Sequence, residues 1–379
     1  MRTEFRLVSR RFLEQSLHQR GMAIDLERLM NRSDQIWEES ILPSLSELIQ
    51  IKALSPMFEP DWENLGELDA TIELFCGWLD KQGISGISYE TQRIDGLSPV
   101  LLVTIEGTGP GEVIFYSHLD KQPSKPGLWS EGLHPLKAVR RDPWLYGRGS
   151  VDDGYGGYLC ATSVRLLQEA GVPHPRCTMI IETCEESGSF DLPPYLEALT
   201  EQLGNPDMVV VLDSGGPDYE HVWMTEALRG LVSGTLSVKV SHEGIHSGNS
   251  GGSIPSSFRI QRILLDRVED SVSGQVLIPE MHVDIPEKVR ENAIALREIL
   301  GDSIWEQFPT VDTLRRVSET TEDMIVAMNW EPTLSIIGAD GIPSVQDAGN
   351  VLRTNTDLKL SFRIPPGVDS DYVIARAKE

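Results

Sequence analysis

The sequence has 379 residues, of which 40% are hydrophobic and 24% charged, and this composition is typical of a globular protein large enough for two domains. Its formal net charge of -25 would repel nucleic acid and anionic membranes, so we expect neither as a partner. Apolar stretches long enough to cross a membrane are also absent from the sequence.

Two further features bear on where the protein functions. The first twenty residues are charged and contain no apolar segment of the kind found in secretory signals, so we expect a cytoplasmic location. The cysteines are too few and too scattered for a disulfide framework or a zinc ribbon. We therefore expect reduced thiols at Cys76, Cys160, Cys177 and Cys184.

The first part of the chain alternates between helical and strand patterns. Apolar residues at helical spacing predict a helix over 33–54, with Ser33 as its N-cap and Pro43 as the site of a kink or of a new helix start. A second helix is predicted over about 63–81. Further on, a glycine-rich loop opens a helix at 156–171. Strands are predicted at 87–95, 99–107, 111–120, 178–186 and 207–216, and the last three are apolar runs typical of buried strands. This alternation predicts an α/β domain with a mostly parallel sheet.

The pattern changes near residues 227–230. Residues 230–241 alternate between apolar and polar side chains, as in a strand with one buried face, and a helix follows at 257–268. Two more strands are predicted at 331–339 and 357–365. We therefore predict a domain of residues 1–228 and a smaller α+β domain of residues 229–379.

Ionisable residues follow three of the apolar runs, and a fourth acidic cluster lies in the glycine-rich loop before the helix at 156–171. Side chains at the carboxyl ends of neighbouring strands lie where open α/β sheets bind ligands. Five carboxylates gathered there would repel one another, whereas two divalent cations would nearly balance their charge. The candidates are His118, Asp120, Asp152, Glu185, Glu186 and Asp213.

Each of these residues also has an ordinary structural interpretation. His118 could be a turn residue held by a neighbouring acid. Asp152 or Asp153 could be the N-cap of the helix that follows. The adjacent glutamates could begin a helix, and Asp213 could lie in a surface turn. The repetition of the pattern at several strand ends favours the metal site.

The segments HLD, GRGSVDDG, EESGS and LDSGG, in this order, resemble the aminoacylase/carnosinase-type family of dinuclear zinc metallopeptidases. That family includes carboxypeptidase G, acetylornithine deacetylase and the carnosine and cytosolic nonspecific dipeptidases. The segments LYGRGSVDDG, IHSGNSGG and LSFRIPPG favour the dipeptidase branch. The resemblance implies a di-zinc exopeptidase domain and a smaller lid domain that forms a homodimer.

The resemblance also implies a role for each site residue. Asp152 would bridge two metal ions, His118 and Asp213 would complete one metal site, and Glu186 would bind the other ion. Glu185 would be the general base that activates a bridging water, and Asp120 would orient His118. The peptide bond between Asp152 and Asp153 would be cis. In the lid, His246 would reach the partner's active site and help to hold the oxyanion, and Arg363 would bind the substrate carboxylate.

The sequence departs from the family at its C-terminal end. In the family the chain returns from the lid to the catalytic domain and supplies a last metal-binding histidine. Here no histidine follows His282 and the sequence stops at Glu379, so that return is missing. We expect a fragment of a longer protein, or another group or water in place of the histidine.

The predicted function is therefore metal-dependent hydrolysis of dipeptides or short peptides that bear a free C-terminal carboxylate. Deacylation of N-acyl amino acids is the alternative enzyme activity, because the amide chemistry is the same. A non-catalytic dimerising member or an inactive fragment is the other alternative. Zinc is the expected metal, and manganese or cobalt would also suit an oxygen-rich site with few histidines.

Overall fold

The computed structural model describes residues 25–218 and 221–378, which form two compact units that divide between Gly216 and Pro217. The division falls before the boundary at 228/229 that the sequence pattern predicted. The expectation about an N-terminal signal concerns residues 1–24, which lie outside the described residues. Among the described helices, none combines the length and apolar character that a bilayer crossing requires.

The first unit is built on a five-stranded sheet in the order β1-β2-β6-β3-β7. The strands β1 and β2 pair antiparallel, as do β2 and β6, whereas β3 pairs parallel with both β6 and β7. The α/β class is confirmed, and the sheet is mixed. The strands are β1 Ile87–Gln92, β2 Val100–Ile105, β3 Glu112–His118, β4 Val139–Arg141, β5 Trp144–Tyr146, β6 Arg176–Glu182 and β7 Met208–Val211, with β4 and β5 forming a separate hairpin.

The helices of this unit differ from the prediction mainly in where they begin and break. Ser33 lies inside the first helix, whose N-cap is Asp25, and Pro43 lies in the first turn of a separate helix after a π-helical turn at Trp37–Ile41. Gly66, at φ +64°, interrupts the second predicted helix. The helices are α1 Leu26–Ile36, α2 Leu42–Gln50, α3 Trp62–Leu65, α4 Glu67–Leu79, α5 Gly156–Glu169, α6 Leu192–Ala198 and α7 Thr200–Leu203.

An aromatic cluster joins these helices on one side of the sheet. Tyr158 is fully buried, and its ring centroid lies 5.0 Å from that of Phe75 and 4.7 Å from that of Trp78. Its hydroxyl lies 2.9 Å from Ser44 Oγ on α2. The cluster fixes α5, and with it the glycine-rich loop that precedes this helix, against α2 and α4.

Tyr158→Phe is expected to lower the free energy of unfolding by about 1 kcal/mol, because it removes the hydrogen bond to Ser44 and preserves the ring packing. Urea denaturation of the variant and of Ser44→Ala would measure the loss. The double variant should lose less than the sum of the two single changes, since both remove the same bond. Fully additive losses would contradict a direct bond.

The second unit contains an antiparallel sheet in the order β10-β12-β8, and the predicted strand–helix–strand–strand pattern is present. The polar stretch between the predicted helix at 257–268 and the strand that begins at Thr333 contains additional helices that were not predicted. The strands are β8 Gly230–Lys239, β9 Ile245–His246, β10 Thr333–Asp340, β11 Val351–Leu352 and β12 Asn355–Ile364; the helices are α8 Ser247–Ser250, α9 Ser257–Leu265, α10 Glu287–Leu300, α11 Ser303–Glu306, α12 Thr321–Trp330 and α13 Ser370–Lys378.

Candidate metal centre

The ends of three neighbouring strands bring the predicted ligands together. His118 is the last residue of β3 and is in register with Glu182, the last residue of β6. β7 pairs with the other side of β3 and ends at Val211, two residues before Asp213. Since β6, β3 and β7 run parallel, the residues that follow them meet at one edge of the sheet.

The buried imidazole of His118 is the centre of this group. Its Nε2 lies 3.3 Å from Asp152 Oδ1, 3.5 Å from Asp213 Oδ2 and 3.8 Å from Glu185 Oε2. One ligand atom each from His118, Asp152 and Asp213 lie within 4.8 Å of one another. Burial opposes protonation of this imidazole, but the neighbouring carboxylates of Asp120, Asp152 and Asp213 outweigh burial and raise the pKa of His118.

These residues fit a divalent cation. His118 Nε2 and Glu186 Oε1 are buried and make no hydrogen bond, although both are strong ligand atoms. Imidazole and carboxylate are ligands that zinc and related ions accept. Glu186 also interacts with the Asp152 carboxyl, so Asp152 lies between the His118 group and a second carboxylate.

Asp120 connects the imidazole to the two glutamates. Its carboxylate Oδ1 lies 3.4 Å from His118 Nδ1, and its main-chain oxygen lies 3.2 Å from the same nitrogen. The same carboxylate accepts hydrogen bonds from the main-chain nitrogens of Glu185, at 3.2 Å, and Glu186, at 3.0 Å. Asp120 therefore fixes both the imidazole ring and the 3₁₀ turn Glu185–Ser187, as expected of a residue that orients a ligand.

The loop before α5 places Asp152 beside His118. The peptide bond between Asp152 and Asp153 is cis, as the resemblance implied. Asp153 is buried and its Oδ2 accepts a hydrogen bond of 3.3 Å from the main-chain nitrogen of His118. It makes no capping hydrogen bond to α5, so the N-cap interpretation fails for its side chain. Burial raises the pKa of Asp153 to about 7.

Glu185 lies at the open side of the group, with a side chain 34% exposed. Burial raises the pKa of Glu185 to about 7; His118 opposes this shift, and Asp213 and Glu186 add to it. A carboxyl that titrates near neutral pH suits a proton acceptor, because it can take up a proton and release it again.

Two buried polar groups near the site were not identified from the sequence. Glu182 Oε1 accepts hydrogen bonds from the Tyr116 hydroxyl, at 2.6 Å, and from Ser189 Oγ, at 2.8 Å. Lys121, directly after the His-x-Asp motif, is 1% exposed and donates to main-chain carbonyls of Leu48 and Ile51. The signal available for Glu182 was an acid as the last residue of an apolar strand.

The two predicted lid residues lie in the second unit. His246 ends β9, and its Nδ1 accepts a hydrogen bond of 3.1 Å from the main-chain nitrogen of Gly248. Arg363 lies on β12, between Thr333 of β10 and Leu231 of β8. The side chains of both residues are available to a ligand, since both residues are exposed. Their roles remain predictions.

The model of peptidase family M20/M25/M40 matches residues 114–373, which include the four strand-end and loop motifs. The chain belongs to this family of metal-dependent peptidases.

The most similar relatives include two dipeptidases. The chain is 26% identical over 362 residues to the Beta-Ala-His dipeptidase of Homo sapiens, covering 92% of this chain and 69% of the relative. It is 26% identical over 283 residues to a Cys-Gly metallodipeptidase of Saccharomyces cerevisiae, covering 73% of this chain and 58% of the relative. Among solved structures, the M20 family metallo-carboxypeptidase Sso-CP2 from Sulfolobus solfataricus aligns with a TM-score of 0.71 at 20% identity, covering 89% of this chain and 74% of that one. The fold is therefore shared with this family.

Proposed function

We propose that the protein hydrolyses dipeptides or short peptides that bear a free C-terminal carboxylate, in a reaction that depends on two divalent metal ions. The observation that supports this most directly is the meeting of His118, Asp152 and Asp213 around one point, with Glu185 beside them. The human and yeast relatives are dipeptidases, which favours small peptides as substrates of this chain.

His118 and Asp213 would hold one ion, Glu186 would hold the other, and Asp152 would contact both. When bound, such ions polarise the scissile carbonyl and lower the pKa of water. Zinc suits the imidazole and carboxylate ligands, and manganese and cobalt are the alternatives.

The protein's own residues would then move the proton and hold the substrate. Glu185 Oε2 would accept a proton from the attacking water and later pass it to the amine that leaves. Asp120 would keep His118 Nδ1 oriented through its 3.4 Å contact. Arg363 would bind the substrate carboxylate, and His246 of a partner copy would donate to the oxyanion, in a homodimer formed through the second unit.

The first experiment is elemental analysis of the purified protein, together with hydrolysis of β-Ala-His, Cys-Gly and N-acetyl amino acids before and after chelation. We expect about two zinc equivalents per chain, dipeptide hydrolysis that chelation abolishes, and recovery when zinc is restored. Faster cleavage of the N-acetyl amino acids would favour a deacylase of the same family. No metal and no hydrolysis after zinc is supplied would contradict the proposal.

A further inference from the structure

A pocket lies in the connection that follows β3, and Arg148 of the loop that carries Asp152 forms part of its lining. Its cavity volume is about 480 Å³, a size that accommodates part of a small ligand. It is lined by Lys125, Leu128, Trp129, Ser130, Leu133 and Arg148, among others. The lining therefore combines two cationic side chains with apolar and aromatic surface and contains no carboxylate.

One hydrogen bond ties the start of this connection to the metal centre, and another ties the connection to the glycine-rich loop. Gln122 begins the connection, and its Nε2 donates to the main-chain oxygen of Glu186 at 3.2 Å. Arg148 lies in the glycine-rich loop that carries Asp152, and its main-chain nitrogen donates to the Pro135 oxygen at 2.8 Å. Arg148 also interacts electrostatically with the Asp152 carboxyl, so a group bound at Arg148 would lie near the metal centre.

Neither cation of the pocket is paired at contact distance, although the Asp152 carboxyl interacts with Arg148 from further away. Neither Lys125 nor Arg148 forms an ion pair within residues 25–218 and 221–378. Arg148 Nε is buried and makes no hydrogen bond. A buried guanidinium nitrogen without an acceptor is costly, and this cost is removed when a bound carboxylate supplies the acceptor. The chain carries a net charge of -25, so most of it would repel an anion. A cationic pocket without ion pairs is therefore a place where an anionic group would bind in preference to other positions.

We infer that this pocket binds the carboxylate side chain of an acidic residue of the substrate, so that the enzyme selects dipeptides containing Asp or Glu. The inference rests on the proposed function and adds its substrate class. Arg148 would supply a planar donor group and Lys125 a point charge at the more exposed end. Leu128, Trp129 and Leu133 would cover the methylene groups of the acidic side chain.

The test compares the binding of two matched peptide pairs, Ala-Glu with Ala-Gln and Glu-Ala with Gln-Ala. Calorimetry on the full, metal-loaded chain carrying Glu185→Gln measures affinity without turnover. We expect one acidic peptide to bind about tenfold more tightly than its amide counterpart, and the pair that shows the difference identifies the substrate position. Lys125→Gln should remove most of the difference, and Lys125→Arg should restore it.

The control is Lys137→Gln, because Lys137 is exposed in the same connection but outside the pocket. This variant should keep the preference for the acidic peptide. Equal affinities within both pairs, or a preference that Lys125→Gln leaves intact, would overturn the inference. Failure of the metal-loaded wild-type chain to hydrolyse any of the four peptides would instead count against the proposed function, since the binding comparison does not require turnover.

Discussion

Glu185→Gln is expected to lower kcat for dipeptide hydrolysis by about 10²–10⁴-fold while leaving metal content unchanged. Glutamine preserves the size of the side chain but cannot accept a proton from the attacking water. Glu185 Oε2 lies 3.8 Å from His118 Nε2 at the open side of the site, where the attacking water would lie. Steady-state kinetics together with elemental analysis would measure both quantities on the same preparation.

Two further variants make this result specific. Glu186→Gln should lower metal content, because Glu186 Oε1 is a buried carboxylate oxygen with no hydrogen bond of its own and is proposed to bind a metal ion. Glu63→Gln, on the exposed surface of α3, should change neither quantity. If Glu185→Gln kept activity within a few-fold of the wild type, another group would be the base and the proposed mechanism would be wrong.

The elements of the first unit could be predicted because its strands are apolar and are bounded by glycine, proline or acidic residues. The pairing directions could not be predicted, since they depend on contacts between distant segments. The pattern predicted a mostly parallel sheet, but β2 lies antiparallel between β1 and β6. Helix boundaries depended on details that spacing alone does not reveal, such as the π-helical turn at Trp37–Ile41.

The strand-end acids and His118 could be singled out because an ionisable residue after an apolar strand would be costly without a partner. The buried cations Lys121 and Arg148 could not be singled out in this way. A lysine or arginine in a polar segment is usually exposed, and nothing in the local sequence distinguishes Lys121 or Arg148 from such residues. Their surroundings come from elsewhere in the chain: the Lys121 ammonium donates to Leu48 O, on a helix 73 residues earlier.

Lys121→Met should lower the free energy of unfolding at pH 9 by about 3 kcal/mol, because it removes a buried donor that bonds two main-chain carbonyls. Lys121 Nζ lies 2.6 Å from both Leu48 O and Ile51 O, so it satisfies carbonyls at the C-terminal end of α2. Methionine fills a similar volume but donates no hydrogen bond. An alanine-type Cβ at Gly149 would lie 2.7 Å from Lys121 Cε, so the lysine also packs under the loop that carries Asp152.

The loss should depend on pH in a defined direction. Burial lowers the pKa of Lys121 to about 7, with nearby Glu67 opposing the shift and Arg148 adding to it. An unfolded lysine has a pKa near 10.5, so between about pH 7 and pH 10.5 the unfolded chain binds a proton that the folded chain lacks. Stability from this group therefore rises with pH across that window. The advantage of the wild type over Lys121→Met should grow by about 2 kcal/mol between pH 7 and pH 9 and stay constant below pH 7.

Urea denaturation of both proteins at a series of pH values would measure this difference, because other titrating groups cancel between them. Lys81→Met is a matched control, since Lys81 is exposed after α4 and should show no pH-dependent difference from the wild type. A difference between wild type and Lys121→Met that stayed constant from pH 6 to pH 9 would contradict a buried amine with a lowered pKa. The pH at which the difference begins to grow would give the pKa of folded Lys121. It would therefore show whether the charged or the neutral amine bonds the carbonyls at the end of α2 at neutral pH.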